Sequence, residues 1–180
     1  VFVPVNPLLK PEQVAFILRD CNVRVLVTSA QRKAALDEVL AQCPDLRHVV
    51  LVPSADSHEG RMTVQWHAML AAPQQSGHRV IDTDMVAILY TSGSTGMPKG
   101  VVLSHRNMVV GAQSVAQYLE NDSHDVLLAA LPLSFDAGFS QLTTAFAVGA
   151  RVVLLNYLMA RDVIKAIQQH GVTGFTAVPP

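Results

Sequence analysis

Residues 90–100 of this 180-residue chain read YTSGSTGMPKG and concentrate groups suited to holding an anion. Gly93, Gly96 and Gly100 alternate with the hydroxyls of Thr91, Ser92, Ser94 and Thr95, and Lys99 stands near the end. Glycines let backbone N–H groups crowd around a ligand where a Cβ would obstruct them. Hydroxyls add rotatable donors, and lysine adds a point charge. Together these suit a polyphosphate.

The nearest generic pattern is the G-x-x-x-x-G-K-[ST] loop, and the match fails twice. Counted from Gly93, the second glycine falls on Pro98, and Lys99 is followed by Gly100 where a magnesium-binding hydroxyl is required. An ordinary surface loop is the bland alternative, since Gly, Ser, Thr and Pro are common in turns. A second stretch, LPLSFDAG over residues 131–138, carries one carboxylate, Asp136, beside Phe135. A carboxylate in a partly buried pocket needs a cation or donors to offset its desolvation. Equally, Asp136 could cap the following helix, with Phe135 in the core. The histidines at 48, 58, 67, 78, 124 and 170 show no metal-ligand spacing, and no metal site is expected. His105, in SHRN over residues 104–107, reads as a structural residue of a first helical turn.

The run at 90–100 closely resembles the phosphate-binding loop of the adenylate-forming superfamily, the AMP-dependent synthetases and ligases. That resemblance implies an enzyme that joins a carboxylic acid to ATP, giving an acyl-adenylate and pyrophosphate, then passes the acyl group to a thiol. It implies ATP, with magnesium held through the phosphates, and CoA or a carrier protein's phosphopantetheine as acceptor. Thr91, Ser92, Gly93, Ser94, Thr95, Gly96, Lys99 and Gly100 then hold the nucleotide, with Lys99 and Thr95 acting on the departing pyrophosphate. Phe135 and Asp136 fall at the substrate position. Acyl-CoA synthetases typically carry histidine where this chain has Phe135, and the pair resembles amino-acid adenylation domains instead. The longer run SFDAGFSQLTTAF, followed by LLNYLMARDV, is similar to an acyl-CoA ligase subgroup associated with exosortase gene clusters, which favours a non-amino-acid substrate. A non-catalytic nucleotide-binding module that keeps the loop is the alternative of another class.

These residues need a scaffold, and the composition says which. Half of the chain is hydrophobic and only 15% is charged, against a usual charged share of about 25%. Sheets buried on both faces, or a piece cut from a larger fold, would explain that. A net charge of −1 gives no electrostatic case for nucleic acid or a membrane surface, and no apolar run is long enough to span a bilayer. Cys21 and Cys43 form no close pair, which suits a reduced, cytoplasmic protein.

Hydrophobic periodicity predicts strands alternating with helices, hence an α/β fold of largely parallel sheets flanked by helices. Residues 1–5 read as a strand that joins the helix after Pro11 and a strand at 23–28 in a strand–helix–strand unit. A helix over 30–43 and a strand at 49–52 follow. Residues 53–63 read as loop and 64–70 as a short helix. An apolar run at 85–90 delivers the glycine-rich loop. Ser104 caps a helix to about 119, then come a strand at 125–131, a loop at 134–138 and a helix at 141–148 ended by Gly149. A strand at 151–155, a helix at 160–170 ended by Gly171 and a strand at 173–178 complete the chain. The organisation expected is a βαβ subregion over 1–52, a connecting excursion over 53–83 and a phosphate-loop subregion over 84–180. The whole chain, 1–180, is expected to be an incomplete N-terminal domain that does not turn over alone and self-associates through exposed faces.

Overall fold

The computed structural model describes residues 1–53, 63–91 and 98–177. Two compact units account for the chain, Pro7–His78 and a second formed by Val1–Asn6 with Arg79–Pro180.

In the Pro7–His78 unit, helix α1 (Pro11–Asp20) starts with proline, whose missing N–H costs nothing in a first turn. The Lys10 N–H donates to Gln13 Oε1 at 2.9 Å, and Val14, Ala15, Ile17 and Leu18 form the buried face. Strand β1 (Val25–Thr28) leads to helix α2 (Ala30–Leu40), whose Ser29 N-cap hydroxyl accepts from the Arg32 N–H. Strand β2 (His48–Leu51) buries Val49, Val50 and Leu51 as the centre of a three-stranded parallel sheet, with β1 on one side and residues Thr63–Gln65 on the other. Strand β3 (Thr63–Gln65) and helix α3 (Trp66–Leu70) stand where a loop and one longer helix were expected. Three residues are too few for a period-2 signal, so pairing with β2, not local pattern, defines β3. Both cysteines are thiols, and burial raises the Cys43 pKa against the opposing charge of Arg19.

The other unit contains an antiparallel hairpin of β4 (Met85–Thr91) and β5 (Lys99–Ser104). Residues 1–5 do not join β1 as expected. Phe2 bridges in parallel to Ala87, with its N–H on the Val86 carbonyl and its own carbonyl accepting from Ile88. Its ring lies 5.3 Å from that of Phe139. Helix α4 (His105–Tyr118) begins in a reciprocal cap: Ser104 Oγ accepts from the Asn107 N–H, and Asn107 Oδ1 accepts from the Ser104 N–H.

Strand β6 (Val126–Ala129) is buried at all four residues and lies between β7 (Arg151–Leu154) and β8 (Gly174–Phe175), both parallel to it. An uninterrupted apolar run is what a strand covered on both faces requires. Helix α5 (Asp136–Val148) connects β6 to β7, and α6 (Ala160–His170) connects β7 to β8. Gly149 and Gly171 end these helices in left-handed conformations, φ 73° and 61°, that cost a Cβ-bearing residue strain. α5 begins five residues earlier than its sequence pattern suggested. Its N-cap is Phe135, which offers no side-chain cap, so no capping signal marked the start. The fold is α/β with parallel sheets flanked by helices, plus one antiparallel hairpin.

Candidate functional site

The hairpin places one group of candidate residues. Thr91 and Lys99 are cross-strand partners on the last rung of the β4–β5 ladder, and both are exposed. The residues between them carry the glycine and hydroxyl run; Ser92, Gly93, Ser94, Thr95 and Gly96 lie outside the described residues. Among the described residues no carboxylate pairs with the Lys99 ammonium. A cation left unpaired at the end of a ladder is available to an anionic ligand.

Gly100 has a second task. Opposite Tyr90 on the ladder, it lies beneath that ring: a Cβ there would stand 3.2 Å from Tyr90 Cζ and 2.8 Å from Ile88 Cγ2. Its lack of a side chain is therefore explained by packing within the hairpin.

The opposite end of the hairpin is clamped. The Asp84 carboxylate accepts from the Ile81 N–H at 3.0 Å, and the Asp84 carbonyl accepts from the His105 N–H. Arg106 sends Nε and Nη2 to Asp82 Oδ2 at 2.8 and 2.6 Å, while its N–H reaches the Asp82 carbonyl. The start of β4 is thus tied to the first turn of α4, with the Thr91–Lys99 rung at the far end.

The second group lies along α5. Asp136, the first helical residue, is exposed, and Phe135 before it is 48% exposed, so neither is core and Asp136 is not the N-cap. The chain bends into this helix tightly. A Cβ on Gly138 would fall 2.0 Å from the Pro132 carbonyl oxygen, so only glycine fits. The next residues reach a cavity of about 450 Å³ between α4, α5, β6 and β8. Apolar walls come from Val115, Leu119, Leu127 and Leu128, and α5 contributes Ala137, Ser140, Gln141 and Thr144.

The polar part of this lining is unusual. Among the described residues four buried side-chain oxygens lack a hydrogen-bond partner, and three belong to residues of this cavity: Asn121 Oδ1, Gln141 Oε1 and Thr144 Oγ1. Gln141 and Thr144 are only 6% and 2% exposed. A buried polar atom without a partner costs about 1–3 kcal/mol. The lining Thr173, by contrast, is satisfied: its hydroxyl donates to Asp125 Oδ1 at 2.6 Å and accepts from the Val126 N–H. That hydroxyl, with the Asn121 amide and the Asp122 N–H, holds the Asp125 carboxyl below its usual range.

Sequence reasoning singled out Phe135 and Asp136 and did not single out Asn121, Gln141 and Thr144, which the structure gathers at the cavity. Gln141 and Thr144 are three apart and share the buried face of α5 with Gly138 and Ala145. Among the described residues no group of His, Cys, Asp and Glu could hold a metal, and no helix is long and apolar enough to cross a membrane.

The chain as a whole, hairpin and cavity included, is similar to known proteins. The rice (Oryza sativa subsp. japonica) 4-coumarate–CoA ligase-like 3 is 32% identical over 97% of this chain and 32% of its own length. A fatty acid–[acyl-carrier-protein] ligase, ScoC of Streptomyces coeruleorubidus, is 30% identical over 99% of this chain and 34% of its own. The chain thus spans about a third of the length of these relatives. The crystal structure of the anthranilate CoA ligase AuaEII with anthranoyl-AMP superposes with a TM-score of 0.84 at 27% identity. It covers 96% of this chain and 34% of that one. The model of the family described as AMP-binding enzyme matches residues 1–180 from end to end, and the chain belongs to that family.

Proposed function

We propose that this chain is the nucleotide-binding part of an AMP-forming acid–thiol ligase. In the first step a carboxylate oxygen of the acid attacks the α-phosphorus of ATP. A new O–P bond forms, the bridging P–O bond to the β-phosphate breaks, and pyrophosphate leaves with the negative charge. Lys99 and Thr95, with Thr91, Ser92 and Ser94, stabilise that charge where it develops, and Gly93 and Gly96 let backbone donors approach. In the second step a thiol sulfur attacks the acyl carbon, AMP departs, and the thiol proton passes to solvent. The observation carrying this reading is the Thr91–Lys99 rung, which sets an ammonium with no carboxylate partner among the described residues at the edge of the glycine and hydroxyl run. Magnesium would arrive bound to the nucleotide's phosphates and would offset their charge there.

CoA is the acceptor we favour, and carrier-protein pantetheine is the second, since the relatives' names include both CoA ligases and an acyl-carrier-protein ligase. An amino-acid substrate is disfavoured by one observation: among the described residues no carboxylate lines the cavity, and Asp136 is not part of its lining. The two thiols Cys21 and Cys43 support a reducing, cytoplasmic setting. Exposed Phe146, Leu154 and Leu158 support self-association of the isolated chain.

ATP–pyrophosphate exchange by the intact protein, driven in turn by fatty, aromatic and amino acids, tests the assignment. Exchange with fatty or aromatic acids is expected. Exchange with amino acids alone would transfer the protein to the amino-acid reading, and exchange with none would remove the ligase.

A further inference from the structure

The Thr91–Lys99 rung is the last of the β4–β5 ladder, and its register has to be held by something. The inner rungs hold themselves: Ala87 and Leu89 are buried, and a one-residue slip would turn them out of the core. The outer end lacks that restraint on β5, where Val101 and Val102 are exposed and the next residue outward is Gly100. At the clamped end, β4 already carries one residue more than β5 between the Met85–Ser104 and Ala87–Leu103 pairs. A one-residue offset is therefore within reach of this ladder. Carried to the outer end, it would set Lys99 opposite Tyr90 and on the other face of the hairpin.

Glycine in a strand gives its partner no side chain to pack against, and strands rich in it hold register weakly. Here the deficit is covered from across the ladder. Tyr90 pairs with Gly100 and lays the outer edge of its half-buried ring over it. The position a Cβ would take is 3.2 Å from Tyr90 Cζ and 3.4 Å from Tyr90 Cε2, with Ile88 Cγ2 at 2.8 Å. Ring and methyl together fill the notch that the glycine leaves. An aromatic side chain over a cross-strand glycine pins the register of the pair. That pair is the rung immediately inside Thr91–Lys99.

Resting on the ligase reading above, we infer that Tyr90 is a positioning residue: its ring, seated on Gly100, holds the last rung so that the Lys99 ammonium stands where the pyrophosphate charge develops. Tyr90 acts through Lys99 and takes no part in the transfer itself.

A double-mutant cycle on ATP–pyrophosphate exchange by the intact protein tests this. Tyr90→Leu should lower kcat/KM for ATP by about tenfold or more, because misplacing a reacting group by about 1 Å is costly. In a Lys99→Ala background the same substitution should cost less than about threefold, since the group it positions is gone. Tyr90→Phe, which keeps the ring, should stay near the parent. Amide hydrogen exchange gives a readout independent of the reaction. Tyr90→Leu should speed it in peptides spanning 89–91 and 99–101 while β6 and β7 are unchanged. Equal losses with and without Lys99→Ala would overturn the inference and leave the ligase standing. So would a loss in Tyr90→Phe as large as in Tyr90→Leu, or unaltered amide protection in Tyr90→Leu. No pyrophosphate exchange by the parent with any acid would instead remove the ligase reading. If Tyr90→Leu fails to fold, Gly100→Ala carries the same cycle from the other strand, since its Cβ would displace the ring. Its loss should again shrink in the Lys99→Ala background, and an additive loss would overturn the inference.

Discussion

The β4–β5 hairpin carries its polar chemistry on exposed residues at the end of an antiparallel ladder, where Thr91 and Lys99 face each other in solvent. Around β6 the arrangement is inverted: four buried strand residues, and polar atoms closed off behind them at Asn121, Gln141 and Thr144. Exposed polar groups are solvated until a ligand arrives, so they add little to stability and much to binding. Buried ones are felt by the fold at all times. The two regions should therefore respond to substitution through different observables, stability in one and rate in the other.

The sharpest way to break that distinction is at Lys99. Lys99→Ala in the intact protein should lower the exchange rate by about 3 kcal/mol of transition-state stabilisation, over a hundredfold. Its unfolding free energy should move by no more than about 0.5 kcal/mol, as for most exposed positions. Kinetics and urea unfolding on the same preparation check both halves. A destabilised Lys99→Ala, or one with parental exchange, would erase the difference between the regions.

Gly138→Ala probes the opposite region. The new methyl meets the Pro132 carbonyl oxygen at a distance no pair of atoms tolerates, so the first turn of α5 must shift. A loss of about 2 kcal/mol in unfolding free energy is expected, within the range for overpacked sites. The cavity should be affected too, because Ala137 and Gln141 move with that turn. Unchanged stability would mean that the bend from 132 to 138 yields more easily than its geometry implies.

Ser104→Ala is smaller and lies between the two regions, where β5 ends and α4 begins. It removes the hydroxyl that accepts from the Asn107 N–H, at a cost of about 1 kcal/mol. The clamp from Asp82 and Asp84 to Arg106 and His105 remains, so the hairpin should keep its position and the exchange rate should hold. A fall in exchange larger than the fall in stability would show that the helix cap also aligns the ladder.

The glycine and hydroxyl run stands out in the sequence far more clearly than the cavity does, for a physical reason. Its glycines and hydroxyls fall within one short stretch, residues 91–100, and a single window contains them. A cavity is assembled from residues 115 to 176, and no window along the chain contains it. Helix α6 was legible to the residue because its apolar face repeats at helical spacing and Gly171 stops it. β3 and the Phe2 bridge were not, because each is defined by its partner across a sheet. The start of α5 was hidden by the plain Phe135 cap, and with it the proper place of Asp136.

The smallest effect expected concerns acid. Asp125 accepts from the Thr173 hydroxyl, the Asn121 amide and the Asp122 N–H, and these bonds hold its pKa low in the folded state. The folded value lies below the unfolded one, near about 3.9. Its contribution is thus fully present above that pH and is lost as pH falls toward the folded value. Asp125→Asn should flatten the acid limb of stability below about pH 4, read from urea midpoints at several pH values. Thr173→Val should do the same in part, with lower stability at every pH because the Val126 N–H loses its acceptor as well. Parallel acid limbs for Asp125→Asn and parent would place the acid sensitivity elsewhere and remove Thr173, Asn121 and Asp125 as the link between β6 and β8.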